Sequence, residues 1–190
     1  IQSAVGHVLK RHHGIDNPTF QDIKRYYDEK LHPDKIDLDD QKVYKNIFHK
    51  GKFVGVFQFT NAGAQRLARR VKPKDIIDIS AITSIYRPGP LSAGVDKSYV
   101  KAKKEQDIVY LNDVVEEVTK ETAGFMIFQE QIALLAHKLG KNISLEEGNK
   151  LRKLLTKKGT DKGAEEKESI RARFIEGCAD KSVDRESAEA

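Results

Sequence analysis

The chain has 190 residues, 38% hydrophobic and 33% charged, which suits a helical domain with a modest core, alone or with an appendage. Aromatic content of 7% and the lack of tryptophan argue against an all-β sandwich, and the net charge of +5 leans toward a polyanionic partner. That lean is modest, because 29 acidic residues are interspersed with the 34 basic ones. No apolar run approaches the ~18 residues of a membrane span and no charged-then-apolar leader is present, so no membrane role is expected. Cys178 is the only cysteine, which excludes an internal disulfide and a cysteine-based zinc site and fits a cytoplasmic setting. The chain begins at Ile1 and stops inside a helix-like pattern, so it is expected to be a piece of something longer.

In chain order, Val5, Val8 and Leu9 recur with helical spacing over residues 1–13, and Gly14 suits the position after a helix end. Thr19 with Asp22 three residues on predicts a capped start, and Phe20, Ile23, Tyr26, Tyr27 and Leu31 would line one face of the helix that follows. His12 and His13 are adjacent and so do not share a helix face, which speaks against a metal site. Asp37, Asp39 and Asp40 could suggest paired carboxylates for phosphoryl transfer. The simpler reading is a helix start, with Asp39 as cap and Asp40 in the first turn of a helix running to Gly51.

Residues 52–59 are rich in β-branched and aromatic side chains and predict a short buried strand. Asn61 then caps a basic helix over 62–71, on which Arg66, Arg69 and Arg70 stand three and four apart and can face one side. Such a cluster fits a solvated face or a phosphate-binding surface. A mostly apolar helix over 75–86 ends at Tyr86, where Arg87 is followed by Pro88, Gly89 and Pro90. Each proline biases the residue before it away from helix, which predicts a stiff corner holding Arg87 beside the Tyr86 ring. By itself the stretch also fits an ordinary helix stop and turn.

Residues 92–104 carry Lys97, Lys101, Lys103 and Lys104 and predict a second basic helix beside that corner. An acidic helix over 112–121 follows, then a second strand-like run over 124–128 that could pair with the first, then a helix closed by Gly140. Ser144 and Glu147 form a capping box for a helix that carries Arg152 and Lys153 and ends near Lys157 and Lys158. The long charged stretch over 160–181 places Ile170, Phe174 and Cys178 on one side, with Cys178 a small buried apolar group. The order of elements predicts a mainly helical α+β fold with two short strands.

Five motifs stand in order: Gly55-Val-Phe-Gln58, Leu67-Ala-Arg-Arg70, Tyr86-Arg-Pro-Gly-Pro-Leu91, Phe128-Gln-Glu-Gln131 and Leu151-Arg-Lys-Leu-Leu-Thr-Lys-Lys158. With Arg173-Phe-Ile-Glu-Gly177 after them, they resemble the fingers region of the bacterial DNA polymerase III alpha subunit, in the C family of DNA polymerases. The resemblance implies a fingers domain over 35–190, with 1–34 a helical segment adjoining the palm. It implies a part of a DNA-directed DNA polymerase, a nucleotidyltransferase, that closes over the incoming dNTP and the DNA template-primer. Arg152 and Lys153 would face the triphosphate with Lys157 and Lys158 nearby, and Arg87 would shape the pocket of the nascent base pair. Arg66, Arg69, Arg70, Lys97 and Lys101 would contact DNA.

The catalytic carboxylates and their Mg²⁺ would belong to the palm, outside this segment, and the sliding clamp and other replisome subunits would be met elsewhere in the parent. Two departures from the family pattern stand out. Lys153 replaces a second arginine, which keeps the charge but loses the fork, and the glycine-rich segment after Pro90 is altered over 92–99. The rival reading, from a different class, is a non-catalytic helical DNA-binding module whose basic helices contact phosphates.

Overall fold

The computed structural model describes residues 1–106, 108–156 and 164–189, arranged as two compact units, 1–40 and 41–190. In the first unit, helix α1 (Gln2–His13) buries Val5 and Leu9 and ends on Gly14 in the left-handed region. Thr19 and Asp22 form the expected capping box at the start of α2 (Phe20–Tyr26). The chain then widens into an i→i+5 turn to Leu31 and stops before Pro33, whose ring cannot continue it. The apolar stripe of α2 is only partly covered, since Phe20 remains 61% exposed.

The second unit begins with a short helix α3 (Gln41–Val43) that widens over Tyr44–Phe48. It continues through α4 (Ala62–Val71), α5 (Ile76–Ile85), α6 (Pro88–Ser92) and α7 (Val95–Glu105). The remaining helices are α8 (Asp113–Thr119), α9 (Gln129–Leu139), α10 (Leu145–Thr156), α11 (Ala164–Asp180) and α12 (Arg185–Glu189). One core gathers Tyr44, Phe48, Phe53, Phe59, Leu67 and Ile82, among others, between α3 and α7. A second joins Leu135 and Leu139 of α9 to Cys178 and Val183. Cys178 is fully buried, which pushes its thiol up from the ordinary range and makes it a packing group, as expected.

The fold is mainly helical, but neither expected strand forms among the described residues. Over 52–59 the chain makes two successive tight turns, Val56 N–H to Phe53 O at 3.0 Å and Phe59 N–H to Val56 O at 3.2 Å. Gly55 and Gln58 take φ +77° and +66°, a region closed to strands. The turns give the segment a period of three. Phe53 and Phe59 therefore point inward with rings stacked 5.4 Å apart, while Val54 and Phe57 face solvent. Burying both rings against Phe48 outweighs the β propensity of the segment. Over 124–128 a different competitor wins. The N–H groups of Ile127 and Phe128, which a strand would offer to a partner, are both taken by the Gln131 side chain at 2.8 and 2.9 Å.

Gln131 is the staple of this region. Its amide also donates to Val118 O at 3.0 Å and to Thr122 Oγ1 at 2.7 Å, so a 6% exposed polar side chain has its hydrogen bonds filled and ties α8 to the start of α9. Helix α10 then lies so close to α9 that a Cβ on Gly148 would sit 2.6 Å from Ala133 O. Only glycine permits that approach. The Ser144–Glu147 capping box forms as expected, and Arg173 of α11 joins it, donating from Nη2 to Glu147 Oε1 at 2.8 Å.

A second buried polar node holds the first half of the unit. Asp78, at 1% exposure, meets Lys103 Nζ of α7 at 2.6 Å, accepts from the Lys74 N–H at 3.0 Å and lies 3.3 Å from the Tyr99 hydroxyl. Lys103 stands on the expected basic helix, and this pair draws it inward. Burial and the neighbouring Asp78 carboxylate push the Tyr99 phenol well up.

Two outcomes follow from these nodes. Asp78→Ala leaves the Lys103 ammonium half-enclosed without its partner, so it should cost about 3 kcal/mol of stability in urea unfolding. The double variant with Lys103→Met should cost less than the two single changes added together. Glu147 behaves differently. Hydrogen bonding by Arg173 and by the Ser144 N–H lowers its carboxyl from 4.5 to about 2. A depressed folded-state value stabilises the fold above the unfolded-state pKa, and the contribution disappears as pH falls through that window. Urea midpoints measured across a pH series should therefore drop for the natural chain between pH 4.5 and 2. Glu147→Gln should be less stable at neutral pH and flatter over the same interval.

Candidate nucleotide and nucleic-acid interface

The corner after α5 is built as the sequence predicted for Arg87 and differently for Gly89. Pro88 forces Arg87 into extended backbone, φ −125° and ψ 153°, where it precedes the first turn of α6. Pro88 occupies the first helical position, where its missing N–H removes nothing. Gly89, however, is helical, and Pro90 simply follows it inside the turn. The expected bias away from helix is overridden because Leu91 N–H and Ala93 N–H close back on Arg87 O and Gly89 O. Arg87 is exposed, and its side chain makes no ion pair or hydrogen bond among the described residues.

The Tyr86 ring fixes this corner to α4. Its hydroxyl donates to Asn61 Oδ1 at 2.8 Å, the same oxygen that accepts from the Gly63 N–H and caps α4. A Cβ on Gly63 would lie 2.0 Å from the Tyr86 hydroxyl oxygen, so the glycine makes room for the ring. Beside it opens a small cleft of about 190 Å³ lined by Gly63, Arg66, Leu67, Arg70, Tyr86 and Leu91, with Asp96 at its rim. Arg70 Nη1 stands 3.8 Å from Asp96 Oδ2, a loose pair between a half-exposed guanidinium and a mostly covered carboxylate.

Of the three arginines expected on one side, Arg66 and Arg70 share this cleft. Arg69 instead lies over Gly51, where a Cβ would come within 2.9 Å of its Nη1. Lys97 and Lys101 are exposed on α7, and Lys101 pairs with Glu105 at 3.8 Å. Arg152 and Lys153 stand on α10 and do not line the cleft. Arg152 is half-buried and donates from Nη1 to Gln129 Oε1 at 2.5 Å, while its Nε is enclosed with no hydrogen-bond partner. Lys153 is exposed, and Lys157 and Lys158 lie outside the described residues.

Sequence reasoning missed Gln129 and Asp96, and it found Asn61 as the cap of α4 but not as the partner of the Tyr86 hydroxyl. The Phe128-Gln-Glu-Gln131 motif pointed at the first, but no spacing rule links a helix's first residue to an arginine 23 positions on. A larger cavity of about 520 Å³, lined by Leu111, Val115, Leu135, Leu151 and Phe174 among others, has no cation in its lining and is unsuited to a phosphate. Among the described residues no group of three His, Cys, Asp or Glu side chains could hold a metal ion. His13 packs edge-on against Tyr26, and Asp37 closes a turn onto the Asp39 N–H at 2.9 Å. No helix is long and apolar enough to cross a membrane among the described residues.

Set beside known proteins, residues 15–182 match the bacterial DNA polymerase III alpha subunit finger domain. The chain is 32% identical over 180 residues to the DNA polymerase III subunit alpha of Aquifex aeolicus, which covers 94% of this chain and 14% of that protein. It is 36% identical over 149 residues to the namesake from Chlamydia trachomatis, covering 78% of this chain and 12% of the relative. The Helicobacter pylori protein of the same name is 34% identical over 154 residues, 80% of this chain and 12% of its own length. The chain thus spans about one-seventh of the length of the relatives it matches. A helical unit with an arginine-lined corner, matched almost end to end by one domain of these proteins, belongs to the bacterial DNA polymerase III alpha subunit finger domain family.

Proposed function

We propose that this chain is the fingers of a DNA-directed DNA polymerase, binding the incoming dNTP and the template-primer while nucleotidyl transfer takes place at a palm. The observation that carries this reading is Arg152. Its helix is backed closely by α9, its guanidinium is anchored through one nitrogen, and it lies within the residues that match the finger domain. Nucleotidyl transfer needs positive charge in place before the reaction, aimed at oxygens that gain negative charge. Arg152 supplies a planar fork for that purpose and Lys153 a mobile point charge beside it. Lys157 and Lys158 complete the same cationic run in the sequence.

Arg87, held by the corner and by Tyr86, borders the nascent base pair in this reading. Arg66 and Arg70 in the cleft, with Arg69, Lys97 and Lys101 around it, meet DNA phosphates. Residues 1–34 adjoin the palm. The divalent Mg²⁺ and its carboxylates belong to that palm in this reading. The parent works in the cytoplasm, with the sliding clamp and other replisome subunits engaged through other regions.

The cleft itself favours a second reading, a helical module that only binds DNA, since two arginines around a small polar pocket need no nucleotide to justify them. The two readings separate on Arg152. In the parent polymerase, Arg152→Ala should raise the dNTP KM between about 10- and 100-fold, the scale of losing charge-assisted hydrogen bonds. Its affinity for duplex DNA should change little. A loss of DNA affinity with a flatter salt dependence, and an unchanged KM, would favour the module instead. The purified chain mixed with primer-template, dNTPs and Mg²⁺ should extend no primer on a sequencing gel. Incorporation above background would place a working metal site within it and overturn the division of labour.

A further inference from the structure

The Gln129–Arg152 contact has more to it than a surface hydrogen bond. Both of its ends are anchored. Gln129 opens α9 directly after Ile127 and Phe128, whose N–H groups are clamped by the Gln131 side chain, so the backbone that carries it is fixed. Arg152 projects from α10, which approaches α9 so closely that Gly148 cannot be replaced without moving the Ala133 carbonyl. Between these fixed points Arg152 Nη1 donates to Gln129 Oε1 at 2.5 Å.

The rest of the guanidinium has no polar tie. Arg152 Nε is shut away from solvent without a partner, so the Gln129 amide is the one polar group that sets the plane of the fork among the described residues. An unbonded enclosed N–H costs stability, and a contact built mainly to staple two helices would not tolerate it. The arrangement makes sense if orientation is what matters. With Nε enclosed and one Nη1 hydrogen engaged, both Nη2 hydrogens and the second on Nη1 have no partner among the described residues. Those are the donors that a bidentate contact with a phosphate requires.

We infer that Gln129 is a positioning residue, holding the Arg152 fork in the orientation that receives the triphosphate of an incoming nucleotide. The inference rests on the dNTP reading of Arg152. Gln129 is exposed and on the opposite side of the contact from the cation, so it acts through Arg152 and does not itself carry charge to the nucleotide. Its amide is suited to the task because it is a neutral acceptor. A carboxylate in its place would orient the fork and at the same time cancel its field.

The test is a steady-state series in the full-length polymerase with Gln129→Met, Gln129→Ala, Arg152→Ala and the Gln129→Met/Arg152→Ala double variant. Methionine keeps the length and packing of glutamine and removes the acceptor. The expected result is a dNTP KM raised about tenfold by either Gln129 change, the scale of one hydrogen bond to a charged group. Turnover at saturating dNTP should change less than KM, and the double variant should be no worse than Arg152→Ala alone. Thermal melting of each variant, within a few degrees of the natural protein, separates positioning from folding.

If Arg152→Ala raises KM and Gln129→Met matches the natural enzyme, the positioning role is overturned and the nucleotide reading stands. If Gln129→Met lowers KM or changes only melting, the contact is a helix staple and the inference fails. If Arg152→Ala leaves KM unchanged, the nucleotide reading falls and takes the inference with it.

Discussion

A carboxyl group at 1% exposure is an expensive thing to bury, and Asp78 is held there by three groups from different parts of the chain. Lys103 and Tyr99 come from α7 and the Lys74 N–H from the connection after α4, while the Asp75 side chain receives the N–H of Asp78 itself. Such a pair adds little net stability over a well-packed apolar replacement, because desolvation offsets attraction. Its effect is on register. A slip of α5 by one residue would strand both charges, so α4, α5 and α7 have one way to assemble. Everything on the proposed DNA-facing side depends on that assembly, since the cleft is bounded by α4, by the corner that ends α5 and by the start of α7.

The second half of the unit uses the same device with different chemistry. Gln131 fills its hydrogen bonds on α8 and on the connection between α8 and α9, and Glu147 receives Arg173 across from α11. Close backbone approach at Gly148 does the rest. The outcome is a helical framework on which Arg152 has little freedom, and that suits the proposed contact with a highly charged ligand. A flexible cation loses entropy on binding, whereas a pre-set one has lost it during folding.

The chain divides its cations by job. Lys103 pairs with Asp78 inside, and Arg173 pairs with Glu147 at a partly exposed contact. Arg70 is loosely held by Asp96, close enough to be guided and far enough to be released. Arg66, Arg87 and Lys97 have no ion pair among the described residues and are exposed. A net charge of +5 therefore understates the basic character of the cleft side, because many of the 29 acidic residues neutralise cations elsewhere.

Helix positions were legible in the sequence wherever the signal was local. Thr19 with Asp22, Asn61, and Ser144 with Glu147 all cap as expected, since a side chain and the N–H groups two or three residues on are bound to meet. The ordered motifs likewise placed the chain in its family, because type and spacing are properties of the sequence itself. What only the tertiary structure decided was the outcome of competitions between distant groups. Residues 52–59 had the composition of a strand, yet the Phe53 and Phe59 rings found Phe48, and the backbone turned twice to let them. Lys103 looked like its neighbours on a basic helix until a buried carboxyl 25 positions earlier drew it in. Gln129 had no periodicity to mark it, and its contact with Arg152 depends on α10 folding back against α9. Local hydrogen bonds are written in the order of residues, whereas packing and long-range ion pairs exist only once the chain has closed on itself.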